Sequence, residues 1–239
     1  MTTTLVLGID EAGRGPALGP MVMAAVALEP AASRRLSRAG VADSKAFGSG
    51  PPAHEARRSL VGLIESAATW VGIEVCDVQA IDEYVALGHL NVLERERASR
   101  LIHAAPPCKR VIADGRTLFS PLRDVFPHVT AVDRGEASHV AVAAASLCAK
   151  VRRDELFACI ADRYRHQFGE VRGLGYANAG TRAFALTFLR RFGALPPEAR
   201  TSWPWRGRPR ALRAGPWGAD QTKSRLRKIS MARPSTSTE

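Results

Sequence analysis

The sequence predicts an α/β domain built on a mixed β-sheet, and two observations predict it. Short apolar runs that suit buried strands alternate with longer stretches of helical spacing, the pattern of a sheet with helices packed on its faces. The first two runs, Leu5–Ile9 and Met21–Leu28, are separated only by a Gly- and Pro-rich loop, so they pair as an antiparallel hairpin. With 239 residues, 46% hydrophobic and 24% charged, the chain holds one such domain and a smaller appended part. That composition excludes global disorder and collagen-like or mucin-like repeats.

Taken in order, Leu5–Ile9 is the first strand and delivers Asp10-Glu11 at its end. Gly13, Gly15, Pro16, Gly19 and Pro20 impose an irregular loop before the second strand. A loop is expected from there to about Pro52. His54–Thr69 carries Leu60, Leu63, Ile64 and Ala67 at helical spacing, and Trp70–Val75 reads as a strand. Two helices follow, Val78–Leu87 and Asn91–Ala104, the second stopped by Pro106-Pro107. Arg110–Ala113 is a short strand ending in Asp114-Gly115, and another strand falls around His128–Val132. Glu136–Gln167 is a long helical zone that begins Ala-rich and holds Ser138, Ser146 and Lys150. The turn Gly173-Leu174-Gly175-Tyr176 leads to a helix over about Thr181–Arg191. After Pro196-Pro197 regular signals fade, little fixed structure is expected from Arg206 onward, and no internal repeat is visible.

The net charge of +11 is concentrated at the C-terminus, where residues 206–239 hold nine Lys/Arg against two acids. Such a segment either favours a polyanionic partner, through release of counterions from phosphates, or is a solvated extension. The longest apolar run, Val140–Ala149, is too short to span a bilayer, and Met1–Gly8 lacks the basic start of a secretory signal. A cytosolic protein without membrane partners is expected. Cys76, Cys108, Cys148 and Cys159 show neither CxxC spacing nor zinc-type pairing with His, so no disulfide framework or structural zinc is expected.

The carboxylates fall in an informative pattern. Asp10-Glu11 ends one apolar strand, Asp114 ends another, and Glu136 opens the long helical zone after a third. Asp114-Gly115 alone is compatible with a simple turn, and Glu136 alone with a helix-dipole partner. Several buried acids at one sheet edge repel one another unless cations compensate them, and such oxygen-rich sites suit Mg²⁺ or Mn²⁺. Two such ions can serve phosphodiester hydrolysis, and nothing in the sequence suggests a Ser/His/Asp or Cys/His nucleophile.

Gly8-Ile9-Asp10-Glu11-Ala12-Gly13-Arg14-Gly15-Pro16 resembles the signature of the type 2 ribonucleases H, the ribonuclease HII family. The resemblance continues through Gly19-Pro20-Met21-Val22, Ala42-Asp43-Ser44-Lys45, Asp114-Gly115 and Ala143–Val151 with Arg153-Asp154. It ends in Gly175-Tyr176, Leu195-Pro196-Pro197 and Arg200-Thr201-Ser202-Trp203, so the blocks run in family order over about residues 5–205. Their wording is closer to the archaeal and eukaryotic branch.

The resemblance implies a ribonuclease H-like mixed sheet flanked by helices, with a C-terminal helical subdomain. It implies a catalytic domain over 1–170, a helical substrate-binding part over 171–205 and the basic tail over 206–239. It further implies an endonuclease that takes two Mg²⁺ or Mn²⁺ ions and acts as a monomer. The expected substrates are RNA–DNA hybrids and duplex DNA carrying a ribonucleotide, cut on its 5′ side to leave a 3′-hydroxyl and a 5′-phosphate. The metal-binding and catalytic carboxylates carry over to Asp10, Glu11 and Asp114. The fourth matches Glu136, where the family usually has Asp, with Asp133 as a substitute. Gly13, Arg14 and Gly15 match the element that reads the ribose 2′-hydroxyl, and Tyr176 the tyrosine that packs on the junction sugar. Lys45 and Lys150 are expected to contact phosphate or support the site, and His139 to pack rather than react. Two other readings remain open on sequence alone, a ribonuclease H-like enzyme acting only on DNA and a hybrid-binding protein without catalysis.

Overall fold

The structure, a computed structural model, describes residues 4–41, 48 and 50–202. Among the described residues five strands form one sheet: β1 (Val6–Ala12), β2 (Met21–Leu28), β3 (Trp70–Cys76), β4 (Arg110–Asp114) and β5 (Val129–Val132). Their order is β3-β2-β1-β4-β5. The expected hairpin is present, with Val6 opposite Leu28 and Ala12 opposite Val22. β3 pairs antiparallel with β2, whereas β4 runs parallel to β1 and β5 parallel to β4. β1 is therefore the strand at which the sheet changes from antiparallel to parallel.

The helices are α1 (Pro30–Arg38), α2 (Pro51–Ala67), α3 (Val78–Ala86), α4 (Leu90–Ala104), α5 (Arg116–Phe119), α6 (Val140–Phe168) and α7 (Ala179–Phe192). Apart from the short α5, which was not expected, three elements depart from expectation. α1 occupies part of the stretch read as loop; it buries only Leu36 and is otherwise Arg-, Ser- and Ala-rich, so it shows no apolar periodicity. β1 continues to Ala12, which places Asp10 and Glu11 inside the strand rather than after it. Glu136 lies in a 3-10 turn, Gly135–Ala137, and α6 starts only at Val140. The preceding Arg134 is left-handed (φ 58°), which breaks the chain direction between β5 and the helix.

Alternation along the strands feeds two cores. On one face Val22, Ala24, Val26 and Leu28 pack with Leu36, Leu60, Ile64 and the Ala141–Ala149 segment of α6. On the other, Leu7, Ile9, Met23 and Ala25 pack with Ala98, Leu101, Val111 and Phe119. Each fully buried Leu, Ile or Met contributes roughly 1.5–3 kcal/mol. The C-terminal half of α6 overhangs the sheet and carries α7 through a separate core of Phe157, Ile160, Tyr164 and Phe184. Phe168 and Phe188 stack at its edge with centroids 5.4 Å apart. Among the described residues no helix is long and apolar enough to cross a membrane.

The Ala-rich start of α6 has a steric cause. A Cβ placed on Gly8 of β1 would lie 2.1 Å from the carbonyl carbon of Ala141, so helix and strand backbones meet directly. Only glycine beneath and small side chains above permit that approach. Gly8→Ala is therefore expected to destabilise the protein by about 3 kcal/mol or more, read as a lower unfolding midpoint. An unchanged midpoint would show that α6 does not rest on β1 as described.

Candidate active site

The pleat of β1 sorts its acids. Gly8 faces α6, so Asp10 does too, whereas Ile9 and Glu11 belong to the opposite face. Asp10 is only 6% exposed, and its carboxylate accepts a hydrogen bond from the Glu11 amide at 2.8 Å. The Ser146 hydroxyl of α6 donates a further bond to it. The parallel register pairs Ile9 with Ala113, which sets Asp10 beside Asp114 at the C-terminal ends of the two strands. Asp114 Oδ1 accepts the Gly135 amide at 2.8 Å, and that contact brings the 3-10 turn, with Glu136, against the strand end.

Burial and mutual repulsion leave these acids reluctant to ionise. Burial, then the charges of Glu11 and Asp114, hold Asp10 well above the usual carboxylate range against the opposing bonds from Ser146 and Glu11. Burial also raises Glu11, with Asp114 adding to it and the Arg14 guanidinium opposing. Asp114 is raised by burial and by Glu136, against the Gly135 amide. Glu11 Oε2 is buried without a hydrogen-bond partner among the described residues. A cluster of carboxylates with an unmatched buried oxygen is a donor set suited to a hard divalent cation. The acids are not closed into a cage, since no three His, Cys, Asp or Glu among the described residues stand at metal-ligand spacing.

Two concavities meet at Glu11. The larger, about 500 Å³, is lined by the Gly13–Gly15 loop, Ser146, Lys150, Tyr176 and Arg57. The second, about 390 Å³, is lined by Asn91, Asp114, Thr117, Asp133 and Arg134. Tyr176 is 44% exposed and borders Gly15, where an added Cβ would lie 3.7 Å from its ring. Lys150 lines the larger groove but bonds Asp154 one helical turn on. Arg14 does not reach freely into either groove: its guanidinium pairs with Glu94 and donates to Asn91 Oδ1 at 2.7 Å. Asp133 lines the second groove with Asp114, and its Oδ1 accepts the Arg116 amide at 2.8 Å. His139 caps α6 through its carbonyl, which accepts from Val142 and Ala143. Lys45 lies outside the described residues.

Sequence reasoning missed the roles of Ser146, Arg57 and Arg153. Arg153 is buried on α6, donates to the Leu174 carbonyl and lies 5.5 Å from the Tyr176 ring centroid. An arginine in an amphipathic helix carries no sign of such burial, although its place beside the Ala143–Val151 block was a cue. The four cysteines are free, and burial pushes Cys148 up to about 12 and Cys76 to about 11, which leaves both as inert core thiols.

Sheet order and site together define an α/β enzyme of the ribonuclease H fold, and solved structures agree. Ribonuclease H2 from Pyrococcus horikoshii OT3 superposes with a TM-score of 0.73 at 25% identity, covering 94% of this chain and 100% of that one. RNase HII of Archaeoglobus fulgidus, solved in complex with PCNA, gives 0.70 at 28% identity over 84% and 96%. The profile of the family Ribonuclease HII matches residues 7–204. Ribonuclease HII of Pyrobaculum neutrophilum is 37% identical over 83% of this chain and 93% of its own length. That of an Azoarcus species is 36% identical over 84% and 89%. The chain belongs to the ribonuclease HII family. It is an enzyme of the ribonuclease H class, whose members cut the RNA strand of RNA–DNA hybrids.

The raised carboxyls fix the sign of a pH dependence. Asp10 binds its proton more tightly in the folded than in the unfolded chain, so its contribution favours folding at low pH and is lost as pH rises from the ordinary value of 3.8 through the raised one. In chelator, stability is expected to fall over that window. Asp10→Asn should flatten the fall and stabilise the protein at pH 7 by on the order of 1 kcal/mol. Calorimetry across pH 4–8 checks this, and a lower midpoint for the variant would contradict it.

Proposed function

We propose that this ribonuclease hydrolyses RNA in RNA–DNA hybrids and also cuts duplex DNA on the 5′ side of an embedded ribonucleotide. The observation that carries the reading is the succession of mutually repelling carboxylates at the ends of β1 and β4, running from Glu11 through Asp10 and Asp114 to Glu136. In this reading Asp10, Glu11, Asp114 and Glu136 hold two Mg²⁺ or Mn²⁺ ions. Bound there, the ions would supply an activated water and neutralise the leaving oxygen. Ligation there would offset the burial and mutual repulsion that raise their pKa values. The bond broken joins phosphorus to the 3′-oxygen of the preceding nucleotide, and its products are a 3′-hydroxyl and a 5′-phosphate.

The other residues bind and orient. Glycines in the Gly13–Gly15 loop let backbone approach the ribose, whose 2′-hydroxyl both donates and accepts. Tyr176, exposed beside Gly15, packs on the junction sugar. Lys150 and Arg57 on the groove wall supply positive charge for phosphates. Residues 1–170 act as the catalytic body and 171–205 as the substrate-binding part. The basic segment 206–239, outside the described residues, adds affinity through phosphates.

A labelled duplex with one ribonucleotide, incubated with Mg²⁺, Mn²⁺ or EDTA beside an all-DNA control, tests this directly. Metal-dependent cutting on the 5′ side, absent in the control, is expected. Asp10→Asn should reduce it by at least about 10³-fold while sparing binding, and Tyr176→Ala should weaken selection of the single ribonucleotide. Cleavage of the all-DNA duplex would overturn the substrate assignment.

Removing residues 206–239 is a separate experiment. It should lower both affinity for hybrid and the slope of log K against log salt. An unchanged slope would make that segment a bystander.

A further inference from the structure

The loop that borders Tyr176 is held open from beneath by one buried cation. Arg200, only 3% exposed, donates through Nε to the Gly19 carbonyl at 2.9 Å. Its Nη1 and Nη2 reach the carbonyls of Arg14 at 3.0 Å and Gly13 at 2.7 Å. A single guanidinium thus spans both ends of the Gly13–Gly19 loop. The main chain reinforces it: Gly19 donates to the Glu198 carbonyl at 2.8 Å and Arg200 to that of Ala17 at 2.9 Å.

Arg200 is fixed in turn by the two residues that follow it. Asp82 of α3 accepts the Thr201 amide at 2.8 Å and hydroxyl at 2.7 Å on one oxygen. Its other oxygen accepts the Ser202 amide at 3.1 Å and hydroxyl at 2.7 Å. The loop is also joined to the tyrosine turn, since Ala17 and Leu18 both donate to the Gly175 carbonyl, at 2.8 and 3.1 Å. α3, the C-terminal segment, the glycine loop and the Tyr176 turn are one hydrogen-bonded body.

Peptide planarity gives this arrangement a direction. In a trans peptide the carbonyl and the following amide point opposite ways. With the Gly13 and Arg14 carbonyls turned onto Arg200, the amides of Arg14 and Gly15 point away from it. Two successive amides aimed alike form a donor pair for an oxygen ligand. Burial costs a guanidinium dearly, and Arg153 adds repulsion, so that Arg200 is held down to about 10. An apolar side chain would fill the space without that cost, but it could not turn three carbonyls inward.

We propose that Arg200, locked by Asp82, is a positioning residue that sets selection of the ribose 2′-oxygen by aiming the Arg14 and Gly15 amides at it. This rests on the substrate reading above. Arg200→Lys keeps the charge but cannot hold three carbonyls, and Asp82→Asn loosens the segment while leaving Arg200 in place. Cleavage of a one-ribonucleotide duplex and of a long RNA–DNA hybrid is measured for each variant, with unfolding midpoints as the fold control.

Both variants are expected to lose about tenfold in the ratio of the two kcat/KM values, the one-ribonucleotide substrate suffering more. Equal losses on both substrates, or no loss, in a folded Asp82→Asn protein would overturn the proposal. Should Arg200→Lys fail to fold, the Asp82→Asn ratio decides alone. Failure of the underlying reading shows differently, as a wild-type enzyme that does not select the ribonucleotide at all.

Discussion

The close crossing of α6 over β1 at Gly8 is the constraint on which the other features rest. Because the two backbones touch there, position 8 admits no side chain, and the helix has one available height above the sheet. That height lets the Ser146 hydroxyl meet Asp10 and sets Lys150 on the wall of the groove. The same helix then overhangs the sheet and supports α7, the Tyr176 turn and Arg153. Groove-lining parts that lie far apart in sequence are thereby referred to one rigid contact.

Much of this was readable in advance because it is written in local pattern. The strands and most helices follow from apolar spacing, and the acids from their places at strand ends. α1 was hidden because its only buried side chain is Leu36. The exact setting of Glu136 was hidden as well, since a 3-10 turn between Arg134 and α6 has no periodic signature and is joined to the strand end through the bond from the Gly135 amide to Asp114. The support of the glycine loop was the least visible. Arg200 lies 181 or more residues from the carbonyls it holds, and a carbonyl has no side chain by which sequence could identify it.

Arg14 is a cation beside the acid site, yet its side chain is not left free for either groove. Its guanidinium is instead committed to Glu94 and Asn91 on α4, while its carbonyl is committed to Arg200. In the reading proposed above, its backbone amide is the part that faces the ligand.

The same commitment keeps the acid site acidic. An arginine that close to Glu11 lowers its pKa through space, and a direct ion pair would cancel the charge that attracts divalent cations. Glu94, wholly buried, competes for that guanidinium and holds it on α4. Removing Arg14 would leave the Glu94 charge buried and unmatched, so this ion pair also matters to the fold. Glu11 therefore retains its unmatched oxygen. Burial and repulsion among the carboxylates are a cost that the folded chain carries, and in the proposed reading bound cations would offset it, so metal affinity and the low intrinsic stability of the metal-free site would share one physical origin.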